Sequence, residues 1–432
     1  MRSIYKHTIS DAHKFLTKAL CWALHFEDVC FLNSNDFEAG HFVKGSYSAL
    51  LAVGSISRII PYKGHFESLS IYSKETQDWL FGHLGYDLKN EIEGLKSENI
   101  ENIGFPDMHF FQPQYVFEIS NNEVLIHYME EYDKQETIKD ILADIEGVRS
   151  IQAEVPEVSF KSRVSELDYI DNVKLVQQHI VKGDVYEMCY CIEFYAKGAE
   201  VSPSDLYWKL NEMSPTPFSC FYKLGNKYLM SASPERFLKK ENRHLISQPI
   251  KGTVKRGTTI QEDLKLKETM LNSAKERSEN VMIVDLVRND LSPFAVPGSV
   301  KVDELFGIYT FEQVHQMIST VSCDLRDDVS FVEPMKAAFP MGSMTGAPKI
   351  SAMKLSEQYE NTKRGLYSGA VGYIKPNMDF DFNVVIRSLQ YNAENKYLSF
   401  MVGSAITALS VPEQEYNECL LKAQAMLKAV QA

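Results

Sequence analysis

Residues 369–407, GAVGYIKPNMDFDFNVVIRSLQYNAENKYLSFMVGSAIT, decide the fold class. Apolar runs at 369–374, 380–391 and 397–407 are separated by Pro376-Asn377 and by 393–395, so the stretch reads as three strands joined by turns. Strands linked this tightly are antiparallel, because parallel neighbours need a long crossover. Downstream, Pro412 opens a final helix, with Glu413 and Glu415 at its positive end. Upstream, 218–224 and 228–231 pair around Gly225-Asn226, and 111–119 and 124–129 pair around Asn121-Asn122. Helices are expected at 15–26, near 137–145 and over 264–290, the last followed by Pro293 and Pro297. Antiparallel strands with interspersed helices, and no βαβ alternation, give an α+β fold.

A chain of 432 residues exceeds what one core usually serves. The charge-dense, apolar-poor stretch 149–166 is read as a linker between an N-terminal region, 1–148, and a catalytic domain, 167–432. The formal charge of -13 argues against a nucleic acid or an anionic membrane as partner. An anionic small molecule would then need local cations or a metal. The 7 cysteines are scattered, without a CxxC pair, and read as reduced thiols of a cytoplasmic protein. No signal peptide and no apolar run of the ~20 residues needed to span a membrane are seen.

Several groups of residues carry chemistry. Lys251 sits in Gln248-Pro249-Ile250-Lys251-Gly252-Thr253, where Pro249 fixes the backbone before it and Gly252 permits a sharp turn or close approach after it. Taken alone, such a lysine is more often a solvated surface charge. Two predicted helices each present Glu-x-x-Glu, Glu276 with Glu279 and Glu415 with Glu418, and this spacing puts both carboxylates on one face. Four such groups suit Mg²⁺, although the spacing also marks an ordinary solvated face. The small-residue run 340–349 offers backbone N–H groups to an anion, or is a structural turn. Arg387 closes an apolar strand segment and calls for a carboxylate, from a ligand or from the chain. Glu235, in Ser233-Pro234-Glu235-Arg236-Phe237, is an acid or a surface charge.

In this order, Gly183-Asp184-x-Tyr186, 233–237, 249–253, 276–290, 339–349, 364–373, 381–387 and 415–422 resemble the chorismate-utilising enzymes. That family includes anthranilate synthase component I, aminodeoxychorismate synthase component I and the isochorismate and salicylate synthases. The motifs cover most of 167–430, and the N-terminal third matches more loosely through 81–87 and 110–117. The resemblance implies two large antiparallel β-sheets packed together and flanked by helices, with the active site in a cleft between them. It also implies Mg²⁺ on Glu279 and Glu418, with Glu276 and Glu415 nearby or acting through water, to receive the ring carboxylate of chorismate. Arg387 and Tyr367 match positions that hold the enolpyruvyl carboxylate. Gly403, Thr345 and Lys422 complete the implied anion site.

At the Lys251 position the anthranilate, isochorismate and salicylate branches carry a small residue, whereas lysine resembles the aminodeoxychorismate branch. That branch aminates chorismate at C4. Lys251 then acts as nucleophile, which asks for a depressed pKa, and Glu235 as acid. Glu187 stands where water-adding members have lysine and aminating members glutamine. Gln316 replaces a family histidine near the ring, and Ser404 alters the Ala-Gly-Ala-Gly run. The chain has no glutaminase nucleophile elbow, so a separate glutamine amidotransferase subunit is expected to deliver ammonia. The rival readings are anthranilate synthase component I and a non-catalytic chorismate-binding paralogue.

Overall fold

Residues 108–120, MHFFQPQYVFEIS, combine aromatic and β-branched side chains with a proline at their centre. In the computed structural model, which describes residues 2–38, 47–149 and 158–431, they form the long strand Met108–Ser120. One edge of this strand pairs with Ala49–Ile59. The other is shared, because Leu80–Leu84 pairs with 108–111 and Glu123–Tyr128 with 116–120. Pro113 lies between those two partners, where its missing N–H costs no ladder bond. The register against Ala49–Ile59 shifts at the same point. Arg2 donates to the carbonyls of Pro113 and Gln114 and pairs with Asp78, which closes the fork.

Two arms run from this strand. The first passes through Ala49–Ile59, Asp28–Asn33, Phe218–Leu224, Lys227–Ser233, Ser388–Asn392 and Tyr397–Ile406 to Glu187–Lys197. The second passes through Leu80–Leu84, Ala370–Ile374, Phe380–Asn383, Arg236–Glu241 and His244–Gln248 to Val314–Asp324, which also pairs with Ile250–Lys255 and Lys301–Thr310. All these pairings are antiparallel. The two expected sheets are thus the arms of one hydrogen-bonded network, and the fold is α+β. Each arm begins with strands from before residue 148 and continues with strands from after 167, so both regions contribute to both arms. Residues 150–157 of the expected linker lie outside the described residues.

The arms face each other across a core in which Cys189, Cys191 and Met401 of the first meet Leu80, Phe237, Phe382 and Ile374 of the second. Helices Ala12–Ala23, Gln135–Gly147, Glu166–Lys182, Pro203–Met213 and Pro412–Ala429 cover the outer face of the first arm. Helix Ala274–Leu291 packs its Ile283, Val284 and Val287 into the core shared with the second arm. Each apolar side chain so buried contributes roughly 1.5–3 kcal/mol.

Two sequence expectations need correction. The single helix at 264–290 is two, Ile260–Asn272 and Ala274–Leu291. Ser273 leaves helical geometry and its hydroxyl accepts from the Glu276 N–H, so a cap restarts the helix inside a helix-forming run. The single strand at 380–391 is broken into Phe380–Asn383 and Ser388–Asn392, with Arg387 in the left-handed region at φ 49°. Among the described residues no helix is long and apolar enough to cross a membrane. All 7 cysteines are unpaired.

Buried Arg364 ties the arms together. It forms a bidentate pair with Glu360 at 2.6 and 2.9 Å, and donates to Met344 O at 2.6 Å and Cys189 O at 3.0 Å. Removing one member of a buried pair strands the other charge. Arg364→Met is therefore expected to cost about 3–5 kcal/mol in urea unfolding, and a loss below about 1 kcal/mol would contradict this role.

Candidate active site

The cleft is built around departures from regular strand geometry. Strand Ile250–Lys255 slips register against Val314–Asp324 between Ile250 and Thr253, and Lys251 and Gly252 occupy that bulge. Gly252 has φ 91°, a conformation that favours glycine, and a Cβ there would lie 2.6 Å from Glu276 Oε2, so the end of that side chain would have to move. Across the cleft, a Cβ on Gly403 would lie 2.6 Å from Cys191 Sγ.

Of the residues singled out from sequence, Lys251, Glu235, Gln316, Tyr367, Arg387, Gly403, Lys422, Glu276, Glu279, Glu415 and Glu418 line one cleft. It holds about 940 Å³ of empty space counting its mouth, within the range of small-molecule sites. Glu187 lies in the wall against Lys251. Thr345 is sealed behind the surface, its hydroxyl donating to Met341 O at 3.1 Å and its carbonyl accepting from Cys189 N at 2.8 Å. Gln316 Nε2 reaches Thr253 Oγ1 at 3.4 Å, and Gln316 Oε1 is buried without a hydrogen-bond partner.

Glu235 is buried and accepts a 2.6 Å hydrogen bond from Ser343 Oγ. Burial outweighs that bond and pushes its carboxyl up to about 7, so it can hold a proton near neutrality. Arg387 stands opposite in character. Burial pulls its guanidinium down to about 10, and the side chain makes no hydrogen bond or ion pair with any described residue. A largely buried cation left open in a cleft is a receptor for an anion. The Tyr367 hydroxyl, also unbonded among the described residues, lines the same cleft. Lys422 donates to Gly403 O at 2.8 Å and pairs with Glu418 at 2.7 Å.

Lys251 departs from the sequence-based expectation of a depressed pKa. Burial draws its ammonium down, but Glu187, Glu279 and Cys189 more than offset this and hold it above the ordinary lysine range. The pair with Glu187 is 2.5 Å long, and both side chains are buried.

The four helix carboxylates lie along one wall. Burial raises Glu276, and raises Glu279 to about 7, whereas Lys422 holds Glu418 down against its burial. Among the described residues no three potential ligands converge into a closed metal cage. Glu279 Oε1 and Glu415 Oε2 are nonetheless buried without hydrogen-bond partners. Hard oxygen donors left unsatisfied fit Mg²⁺, which takes one or two carboxylates and completes its shell with water and substrate. Two functional side chains were missed from sequence. Ser343 orients Glu235, and Lys275 bridges the helices through Glu415 at 3.2 Å and Glu279 at 3.9 Å. The i,i+4 spacing of Lys275 and Glu279 was the available signal.

An α+β fold with an open cation, a proton-bearing carboxyl and a carboxylate wall in one cleft makes a site suited to a small anion. The chain belongs to the chorismate binding enzyme family, which matches residues 60–428. It is 37% identical over 369 residues to the chloroplastic aminodeoxychorismate synthase of Arabidopsis thaliana, covering 81% of this chain and 40% of that protein. It is 32% identical to aminodeoxychorismate synthase component 1 of Bacillus subtilis, covering 82% of this chain and 77% of the relative. This chain therefore spans well under two thirds of the Arabidopsis protein and about three quarters of the bacterial one. The crystal structure of anthranilate synthase component I from Streptococcus pneumoniae superimposes with a TM-score of 0.77 at 24% identity, covering 91% of this chain and 95% of the other, which establishes the shared fold.

Replacing Arg387 separates binding from stability. Arg387→Met is expected to weaken chorismate binding by roughly 1.5–3 kcal/mol in calorimetry while the melting temperature holds or rises, since no partner among the described residues is stranded. A lower melting temperature with unchanged affinity would make the residue structural.

Proposed function

We propose that the chain is the chorismate-aminating component of an aminodeoxychorismate synthase. It exchanges the C4 hydroxyl of chorismate for an amino group, giving 4-amino-4-deoxychorismate on the way to 4-aminobenzoate and folate. A separate glutamine amidotransferase subunit supplies the ammonia, and the reduced thiols suit a cytoplasmic setting. The observation that carries this reading is Lys251, a buried amine in the same cleft as a carboxyl that keeps its proton near neutrality. The names of the Arabidopsis and Bacillus relatives support it.

Arg387 and Tyr367 hold the enolpyruvyl carboxylate, while the Gly403 strand and Lys422 close the anion site. Mg²⁺, carried by Glu279 and Glu418 with Glu276 and Glu415 alongside or through water, would supply the positive charge for the ring carboxylate. Lys251 attacks ring C2, the two ring double bonds each shift one place, and the C4–O bond breaks. Glu235 gives its proton to the departing hydroxyl, which leaves as water. Ammonia then adds at C4, the double bonds return, and the lysine departs. Covalent relay divides one difficult displacement into two easier ones.

The direct test incubates the chain with chorismate, Mg²⁺ and ammonium and identifies products by mass. Aminodeoxychorismate is expected. Anthranilate with pyruvate, or no turnover even with a cognate amidotransferase, would overturn the reading. At constant free ammonia, turnover should fall as pH rises through about 7, where Glu235 loses its proton, and Glu235→Gln should slow it by about 10²–10⁴-fold. A profile flat from about pH 6 to 8.5 would remove Glu235 as the acid.

A further inference from the structure

The charge state of Lys251 poses a chemical problem, because an ammonium has no lone pair with which to attack carbon. Its solution lies in the contact that creates it. Lys251 Nζ donates to Glu187 Oε1 at 2.5 Å, and the second oxygen, Oε2, is buried with no hydrogen-bond partner. The other acidic groups that act on Lys251 are Glu279 and Glu276 on helix Ala274–Leu291, Glu418 on helix Pro412–Ala429, and Glu235 and Cys189 in the sheet. None of these is in hydrogen-bond or ion-pair contact with Nζ. Backbone pairing holds Glu187 in place, since Glu187 opens strand Glu187–Lys197 and is in register with Ala347.

We propose that Glu187 is a catalytic residue, the resident base that takes a proton from Lys251 and returns it in each cycle. This rests on Lys251 being the nucleophile. One proton crosses the short hydrogen bond from Nζ to the carboxylate and leaves a neutral amine beside a neutral acid. Burial works toward that exchange at Lys251, because it penalises the ammonium, and attack on the ring consumes the neutral amine as it forms. The amine lone pair forms the bond to C2 while Glu235 protonates the departing hydroxyl. When ammonia adds at C4, the C2–N bond breaks and its electron pair returns to Lys251 as neutral amine. The new C4 ammonium passes a proton to Glu235, and Glu187 returns its own to Lys251. The cycle balances as chorismate plus ammonia to aminodeoxychorismate plus water, with nothing drawn from solvent.

The test compares kcat against pH for wild type, Glu187→Gln and Glu187→Asp, at saturating chorismate and constant free ammonia. Glu187→Gln is expected to lose about 10²–10⁴-fold near neutrality, with the deficit shrinking about tenfold per pH unit as hydroxide replaces the missing base. Glu187→Asp, which keeps a carboxylate, should lower kcat while preserving the wild-type profile and KM. Should Glu187→Gln fail to fold, the Asp profile carries the test, and an Asp variant with a shifted profile or with only KM changed overturns the proposal. So does a Gln variant within a few fold of wild type or reduced equally at every pH. The underlying reading is checked separately with Lys251→Ala, expected to lose amination on the order of 10³-fold or more with chorismate binding kept. Amination retained in that variant removes the nucleophile itself.

Discussion

The guanidinium of Arg364 is the constraint on which the cleft depends. It is bidentate to Glu360, whose Oε1 also accepts the Cys191 N–H at 3.0 Å, and it lies 4.4 Å from the ring centre of Tyr86. Its remaining donors meet Met344 O, Cys189 O and the hydroxyls of Ser356 and Ser368. One side chain thereby fixes the strand that begins at Glu187, the turn that carries Ser343 and the segment that carries Tyr367. A buried ion pair seldom stabilises a fold in net terms unless its hydrogen-bonding groups are met. Here they are met by walls of the cleft, so the cost of burying the charge is turned into fixed relative positions.

An acidic chain can take an acidic substrate because its cations are placed unevenly. Lys251, Lys275 and Lys422 each meet a carboxylate, whereas Arg387 meets none among the described residues. Arg387 owes its exposure to the cleft to the break between Phe380–Asn383 and Ser388–Asn392, where its φ of 49° stores local strain of order 1–3 kcal/mol. The surrounding network must hold that conformation. The opposite wall is rich in carboxylates whose buried oxygens are unsatisfied, a state that a divalent cation relieves.

Much of this was legible in the sequence. The turns at Asn121-Asn122 and Gly225-Asn226 are where the strands reverse, and the i,i+3 carboxylate pairs do share helix faces that line the cleft. Gly252 is favoured for the reason its neighbours suggested. What escaped depends on distant partners. The charge on Lys251 is set by a residue 64 positions away, and Lys275 finds its carboxylate 140 positions away on another helix. No local period encodes either contact. The helix break at Ser273 is different, because it was marked locally: Asn272 and Ser273 are weak helix formers and Ser273-x-x-Glu276 has the spacing of a helix-starting cap.

The central claim is that the amine of Lys251 becomes covalently bound to the substrate ring. Mass spectrometry of the intact chain, quenched after mixing with chorismate and Mg²⁺ in the absence of ammonia, tests it most directly. The predicted result is a population heavier by chorismate less one water, mapped to the peptide that contains Lys251 and discharged when ammonium is added. A chain that stays unmodified under these conditions, yet forms aminodeoxychorismate once ammonium is present, would contradict the claim.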